Sequence, residues 1–373
     1  MTTLHRRTIE QGATAIIVVV FSVLLLVTIS VGFMRMIIQE QERSIENELS
    51  RGAYDSALAG VEDGKRVLEA CRLDGAGSDA CNAIDAKACT TVADAGFTSL
   101  SDNEVKLQTT AGVDGGFDQA YSCVIVDPDT PDYRGNLDAD SSSVIPLTTA
   151  GSFQRIRLMW FQNTDLSRPV SLPTSALTPL PQLGNWTSGT TVRPPIIRAQ
   201  LILYREDNFR VEDFDTADNG RTLYLYPSSV GASTVSFTND TRAVGTSNLV
   251  AVDCDAASQY VCSAELVLPR VIDPNVASNR YAAYLRLTTF YEAADFVVTP
   301  VGTSFRDVQS IVDSTGRASN VFRRVSARVE RVNSNEAQLY PRATVDITRN
   351  FCKSFGVTDT LFNPGPSCDY TQP

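Results

Sequence analysis

Gly12-Ala13-Thr14-Ala15-Ile16-Ile17-Val18-Val19-Val20-Phe21-Ser22-Val23-Leu24-Leu25-Leu26-Val27-Thr28-Ile29-Ser30-Val31-Gly32-Phe33-Met34 holds no charge, no proline and nothing more polar than Thr or Ser. An α-helix rises ~1.5 Å per residue, so ~20 such residues cross a ~30 Å hydrocarbon core. A cleaved secretory signal has an apolar region of only ~7–15 residues followed by a small-x-small site. This run is longer, and Val31-Gly32-Phe33-Met34 offers no such site. The reading is a retained membrane-spanning helix over residues 13–38, preceded by a leader, residues 1–12. Arg6 and Arg7 precede the span, whereas Arg35 is followed by Gln39-Glu40-Gln41-Glu42. The positive-inside tendency then keeps the N-terminus in the cytoplasm and exports everything beyond about residue 38.

Beyond the membrane, small and apolar residues continue at spacings of three and four: Ile45, Leu49, Ala53, Ala57, Gly60, Gly64, Leu68 and Cys71. That is one stripe of a helix, with Glu46, Asp55, Glu62, Lys65 and Glu69 among the residues off it. Residues 39–70 are therefore expected to extend the membrane helix as an amphipathic stalk. Gly52, Gly60 and Gly64 each cost roughly 1 kcal/mol relative to Ala in a free helix. Their presence on or beside the stripe implies that another backbone comes close.

All eight cysteines, Cys71, Cys81, Cys89, Cys123, Cys254, Cys262, Cys352 and Cys368, lie in the exported part, and an even count there reads as disulfides. Cys254 and Cys262 flank a short segment that suits a hairpin-like clip, and Cys352 and Cys368 enclose a Gly/Pro-containing loop. The first four are expected to pair among themselves and tie the helix end to the first strands. The chain has a net charge of −11, and its acidic excess lies entirely beyond residue 38. Such a surface repels phosphate backbones, so no nucleic-acid partner is expected.

After Cys71 the helical period gives way to β-branched and aromatic runs. They are Ala120–Val126, Phe153–Phe161, Ile196–Tyr204, Thr222–Tyr226, Thr234–Phe237, Glu265–Leu268, Tyr281–Tyr291, Phe296–Thr299, Phe322–Val332 and Ala343–Thr348. Gly, Pro, Asn and Asp clusters separate them, which implies mainly antiparallel sheets. The expected class is α+β: a membrane-spanning stalk helix carrying a disulfide-stapled β head, arranged as a β-sandwich. Residues 127–146 and the proline-rich 164–195 read as long loops. A division into a β subdomain over 71–150 and a larger sandwich over 151–373 is expected.

Histidine is absent beyond His5, which excludes Ser-His-Asp and Cys-His catalysis and His-bearing metal sites from the exported part. With no G-x-S-x-G, P-loop or G-x-G-x-x-G, the chain is not expected to be an enzyme. Asp127-Pro128-Asp129-Thr130-Pro131-Asp132 and Asp213-Phe214-Asp215-Thr216-Ala217-Asp218-Asn219-Gly220 gather oxygen ligands of the kind calcium takes, without EF-hand spacing. Solvated acidic turns are the simpler reading, and no cofactor is expected.

Arg6-Arg7-Thr8-Ile9-Glu10-Gln11-Gly12 followed by Ala13-Thr14-Ala15-Ile16-Ile17 resembles the start of PilX-type minor pilins of type IV filaments. Tyr54-Asp55-Ser56-Ala57-Leu58-Ala59-Gly60-Val61-Glu62 is similar to their helical stretch at the same distance. Val308–Ala318 and Arg323–Glu330 are similar to late strands of large pilus-associated proteins. The resemblance implies cleavage between Gly12 and Ala13 by a prepilin peptidase and residence in the inner membrane. It further implies assembly with other pilins and a platform, with Ile16, Ile17, Val20, Leu24, Val27 and Val31 packing in the filament. The expected role is a pilus subunit at or near the tip that acts in assembly, adhesion to a surface ligand, or both. One departure bears on this. Ordinary pilins carry a Glu at the fifth mature position, here Ile17, where it pairs with a neighbouring subunit's terminal amine. Ile17 suits a tip subunit with nothing ahead of it. It equally suits a signal-anchored extracytoplasmic binding protein that never polymerises. A tip pseudopilin of a type II secretion system is the third reading.

Overall fold

A computed structural model describes residues 7–107, 118–163, 168–174, 183–186, 190–205, 220–237, 249–275 and 281–330. Helix α1 (Arg7–Asp74) is continuous and leads into short helices α2 (Asp79–Asp85) and α3 (Thr91–Asp94). Strands β1 (Val105–Lys106), β2 (Gln119–Thr130), β3 (Tyr133–Leu137), β4 (Ser142–Pro146) and β5 (Phe153–Gln162) follow. After helix α4 (Leu183–Trp186) come β6 (Ile196–Arg205), β7 (Gly220–Ser228), β8 (Thr234–Ser236) and β9 (Leu249–Asp253). The described chain ends with β10 (Tyr260–Ile272), β11 (Tyr281–Phe290), β12 (Ala294–Pro300), β13 (Phe305–Ala318) and β14 (Val321–Glu330). The class is α+β, and every strand pair is antiparallel except β10 with β8 and β7 with β9.

Three sheets form. The first, in the order β1-β2-β13-β14, receives the second half of α1. The other two, β3-β12-β5-β10-β8 and β4-β11-β6-β7-β9, both come from chain lying between β2 and β13. One buried cluster draws on both, with Ile156, Leu158, Trp160 and Leu266 from one and Leu201, Leu203, Leu225 and Leu285 from the other. Sheet membership therefore crosses the boundary expected at residue 150. The first sheet takes β13 and β14 from the far end of the described chain, while β3 and β4 belong to the inserted pair. The expected loop over 127–146 is largely strand. In β2 the alternation continues through Val124, Val126, Pro128 and Thr130, all facing inward. Pro128 is accommodated because the β2–β13 register jumps from Arg306↔Asp129 to Ile311↔Asp127, so the bulge asks no ladder bond of it. Ala343–Thr348, Cys352 and Cys368 lie outside the described residues.

The helix and the first sheet meet closely. Residues 16–48 of α1 are exposed, and from Leu49 onward one side is covered: Gly52, Ala53, Ser56, Ala57, Gly60, Val61, Gly64, Val67 and Leu68. The sheet ends where Ala318 faces Gly52 and Arg323 donates to Ser50 Oγ at 2.7 Å. Ile45, expected on the buried stripe, lies more than a turn beyond that end and is exposed. A Cβ at Gly60 would meet Ser314 Oγ and would stand 3.0 Å from Val124 Cγ2 and 3.1 Å from Tyr121 Cγ. One at Gly316 of β13 would run into the backbone of Ala53 and Ala57. Tyr121 also donates to Asp63 Oδ2 at 2.6 Å, tying β2 to the helix. Disulfides Cys71–Cys81 and Cys89–Cys123 fasten the helix end to α2 and the α2–α3 region to β2, and Cys254–Cys262 closes a third loop.

Gly316→Val should lower the stability of the head by about 1–3 kcal/mol, because a branched side chain must push the helix and strand backbones apart. Gly32, which has nothing within 4 Å, supplies the control, and Gly32→Val should leave the urea midpoint unchanged. Burial first, and then Asp63, hold the Tyr121 hydroxyl above its ordinary value of 10.0. The unfolded chain ionises this group first, so its contribution is full below about pH 10 and is lost as pH rises beyond that. Tyr121→Phe should cost about 1 kcal/mol at neutral pH and weaken the alkaline loss, as read from denaturation at pH 7 and about pH 11.

Candidate functional site

The first candidate surface is the uncovered half of α1. Gly12 and Ala13 lie within its first turns. Ile16, Ile17, Val20, Leu24, Val27 and Val31 are each about half to two-thirds exposed, and no part of the described chain covers them. This segment, with a window of mean hydropathy 2.9, is long and apolar enough to cross a membrane. Two of its hydroxyls bond back to the helix: Ser22 Oγ donates to Val18 O at 2.7 Å and Thr28 Oγ1 to Leu25 O at 2.9 Å. A bilayer demands this self-satisfaction of polar groups. The disulfides of the head point to folding in an oxidising compartment.

The first acidic segment does not form a cation cage. Asp127 accepts from Lys87 Nζ at 2.7 Å and Asp129 from Arg306 at 3.2 Å. Asp132 sits between Arg134, at 2.7 Å, and Arg328, at 2.7 Å. Among the described residues no group of three or more His, Cys, Asp or Glu is arranged to hold a metal. The second acidic segment falls outside the described residues except for Gly220.

The second candidate surface follows from strand register. Residues at alternate positions share a sheet face, and the pairing lines up Arg134 (β3), Val297 (β12), Met159 (β5) and Ser263 (β10) as one row across four strands. The next row is Thr299, Arg157, Glu265 and Thr234. A hollow of about 750 Å³ lies over the first row, bounded also by Asp295, Gln162, Gln259 and Tyr260. It joins a second hollow of about 410 Å³ over the next row through Ser258, Tyr260 and Ser263. The result is one groove across the face of the sheet.

Both walls of the groove are held from behind. One wall is the turn Asp255–Val261, closed at its base by Cys254–Cys262. Asp255 accepts from the Ala257 amide and Ser258 Oγ, which hold its carboxyl below the usual range. Asn163 donates from its amide to Gln259 O and from its side chain to Ala256 O. The opposite wall is β3, where Gln309 of the β13 bulge brackets Arg134: the Arg134 amide donates to Oε1 at 3.0 Å, and Nε2 donates to Arg134 O at 2.8 Å. Arg328 of β14 bonds both Gln309 and Asp132, and Tyr133 donates to Glu330 at 2.9 Å. At the head of the same bulge, Asp307 lies in the left-handed region at φ 54° and is gripped bidentately by Arg72 of α1. Burial, reinforced by Asp295 and Asp132 and opposed by Arg134, keeps the Tyr260 hydroxyl above its ordinary value and hence neutral.

Sequence reading named Asp132 only within an acidic cluster and marked none of the other groove residues as a binding site, because four strands far apart in the chain contribute them. The one local signal was the Cys254–Cys262 spacing, which marked a wall without marking what it faces. No protein-family model, no curated protein and no solved structure matches the chain.

Arg72→Met should lower stability by about 1–3 kcal/mol, since Arg72 and Asp307 are only 12% and 25% exposed and a charge is left without its partner. Chemical denaturation of the full-length protein in detergent would measure it. An unchanged midpoint would show that the bulge does not depend on the helix.

Proposed function

We propose that this chain is a PilX-type minor subunit of a type IV filament, cut after Gly12 by a prepilin peptidase and stationed at or near the tip. The observation that carries this reading is the division of one unbroken helix. Residues 16–48 are uncovered, and apolar as far as Ile38, while residues from about 49 to 71 are clamped onto an antiparallel sheet. A subunit built in this way enters the inner membrane, keeps its first half available for neighbouring helices, and carries its head outside. Beyond the membrane the outer side of α1 still presents Ile45, Tyr54 and Leu58, exposed by 52%, 49% and 37%. Tyr54 and Leu58 are one turn apart, a spacing that suits a neighbouring stalk. The two inserted five-stranded sheets, sharing one apolar cluster, are read as the faces of a β-sandwich. A head of this bulk would crowd a repeating shaft and is suited to an end position, where it works in assembly, in adhesion, or in both. The work is done by contacts and not by catalysis.

Ile17 favours a second reading, a signal-anchored extracytoplasmic binding protein, because polymerisation through a Glu at that position is not open to it. The two readings diverge at the N-terminus. Mass spectrometry of the protein from its native membrane should find a mature chain beginning at Ala13, and sheared surface filaments should contain it. An intact Met1 or Thr2 terminus, with the protein confined to membranes, would establish the anchored form instead.

A further inference from the structure

We propose that the groove across β3, β12, β5 and β10 binds a neutral oligosaccharide. Three features of the groove lead to this class. Beside Asp132, Arg134 and Asp295, its hydrogen-bonding groups are hydroxyls and amides, with Gln162, Gln259, Tyr260, Ser263 and Thr299 set around a floor of Met159 and Val297. That mixture matches a sugar ring, which offers hydroxyls around its rim and C–H groups on its faces.

Two of the lining carboxylates are paired with arginines, and the others, Asp253, Asp255 and Asp295, would repel an anionic ligand. Asp132 is held between Arg134 and Arg328, and Glu265 lies 3.1 Å from Arg155 and 3.9 Å from Arg157. A strongly charged ligand would have to break these pairs, whereas a neutral one leaves them in place. Asp295 stands apart: it is exposed and takes one side-chain bond, from Asn136 Nδ2 at 2.8 Å. A carboxylate with spare lone pairs can accept from two adjacent hydroxyls of one ring.

The location disfavours an extended peptide. Peptides that add to sheets use a free edge and its backbone groups, or deep apolar pockets for alternate side chains. This groove crosses the face of a sheet, and its floor strands β12 and β5 are hydrogen-bonded on both sides. Only side chains are offered.

The groove is also prepared in advance. The Cys254–Cys262 clip and Asn163 fix the wall that carries Ser258 and Gln259, while buried Gln309 fixes β3 at Arg134. Ordering both walls before binding reduces the entropy lost on association, which matters most for ligands bound through many weak hydrogen bonds. The proposal concerns the head alone and does not depend on filament assembly.

The test uses full-length protein in detergent on an array of immobilised neutral oligosaccharides built from hexose and N-acetylhexosamine units. Wild type should retain one or more of them, and the free sugar should compete. Asp295→Ala and Gln162→Ala should each reduce apparent affinity at least tenfold with melting temperature unchanged. Should Asp295→Ala fail to fold, Gln162→Ala carries the test, since Gln162 lies at the end of β5 on the groove rim. The proposal is overturned if no neutral saccharide binds, if neither substitution weakens binding, or if only charged glycans or peptides are retained. Processing at Gly12 and filament location are read by mass and by shearing, so failure here leaves the filament reading untouched.

Discussion

The approach of the α1 backbone to the backbone of β13 is the constraint on which the described fold depends. Gly60 and Gly64 on the helix and Gly316 on the strand remove the side chains that would otherwise separate them. In a free helix those glycines would weaken it by roughly 1 kcal/mol each. Packed on the sheet they allow Val61, Val67 and Leu68 to be buried with Val124, Val126 and Val312, and Ala53 and Ala57 to lie against Gly316. The tightness also settles how the helix is divided. Where the sheet ends, near Ser50, burial ends, and the remaining apolar length is left to a membrane or to other chains.

The same sheet explains how a large insertion is tolerated. β2 leaves the sheet and β13 returns to it, and between them the chain builds two further five-stranded sheets around a core of their own. An insertion of that size would swing freely if attached by two loops. Instead the β13 bulge links the sheets. Asp307 reaches back to Arg72 of the helix, and Gln309 reaches forward to the β3 backbone. The bulge opposite Pro128 thus both excuses a proline from the ladder and supplies the side chains of the joint.

Much of this architecture was legible in the sequence, and the rest was hidden for identifiable reasons. A helix long and apolar enough to cross a membrane follows from composition alone, and its packed half follows from spacing at three and four. Strands with alternating apolar residues, such as Phe153–Gln162 and Ile196–Arg205, announce themselves. β3 and β4, by contrast, read Tyr-Arg-Gly-Asn-Leu and Ser-Ser-Val-Ile-Pro, and their turn-forming residues masked them. Asp127 and Asp129 look like loop residues until Lys87 and Arg306, distant in the chain, are seen to neutralise them. No local pattern encodes which strand pairs with which, so the return of β13 to β2 could not be read. The groove was invisible for the same reason, since its rows exist only once register is fixed.

Register then connects the stalk to the groove. Moving β3 by a single residue would turn Arg134 to the other face and replace it with a neighbour. The bracket formed by Gln309 opposes that slip by bonding both the amide and the carbonyl of Arg134, and Gln309 in turn belongs to the bulge held by Arg72. The disulfide clip performs the same service on the far wall, where a covalent bond stands in for the helix. The face that carries Arg134 is thereby kept in one register by contacts that reach back to α1. The groove is thus held in shape by the same bulge that ties the first sheet to the helix, since Asp307 and Gln309 stand two residues apart on it.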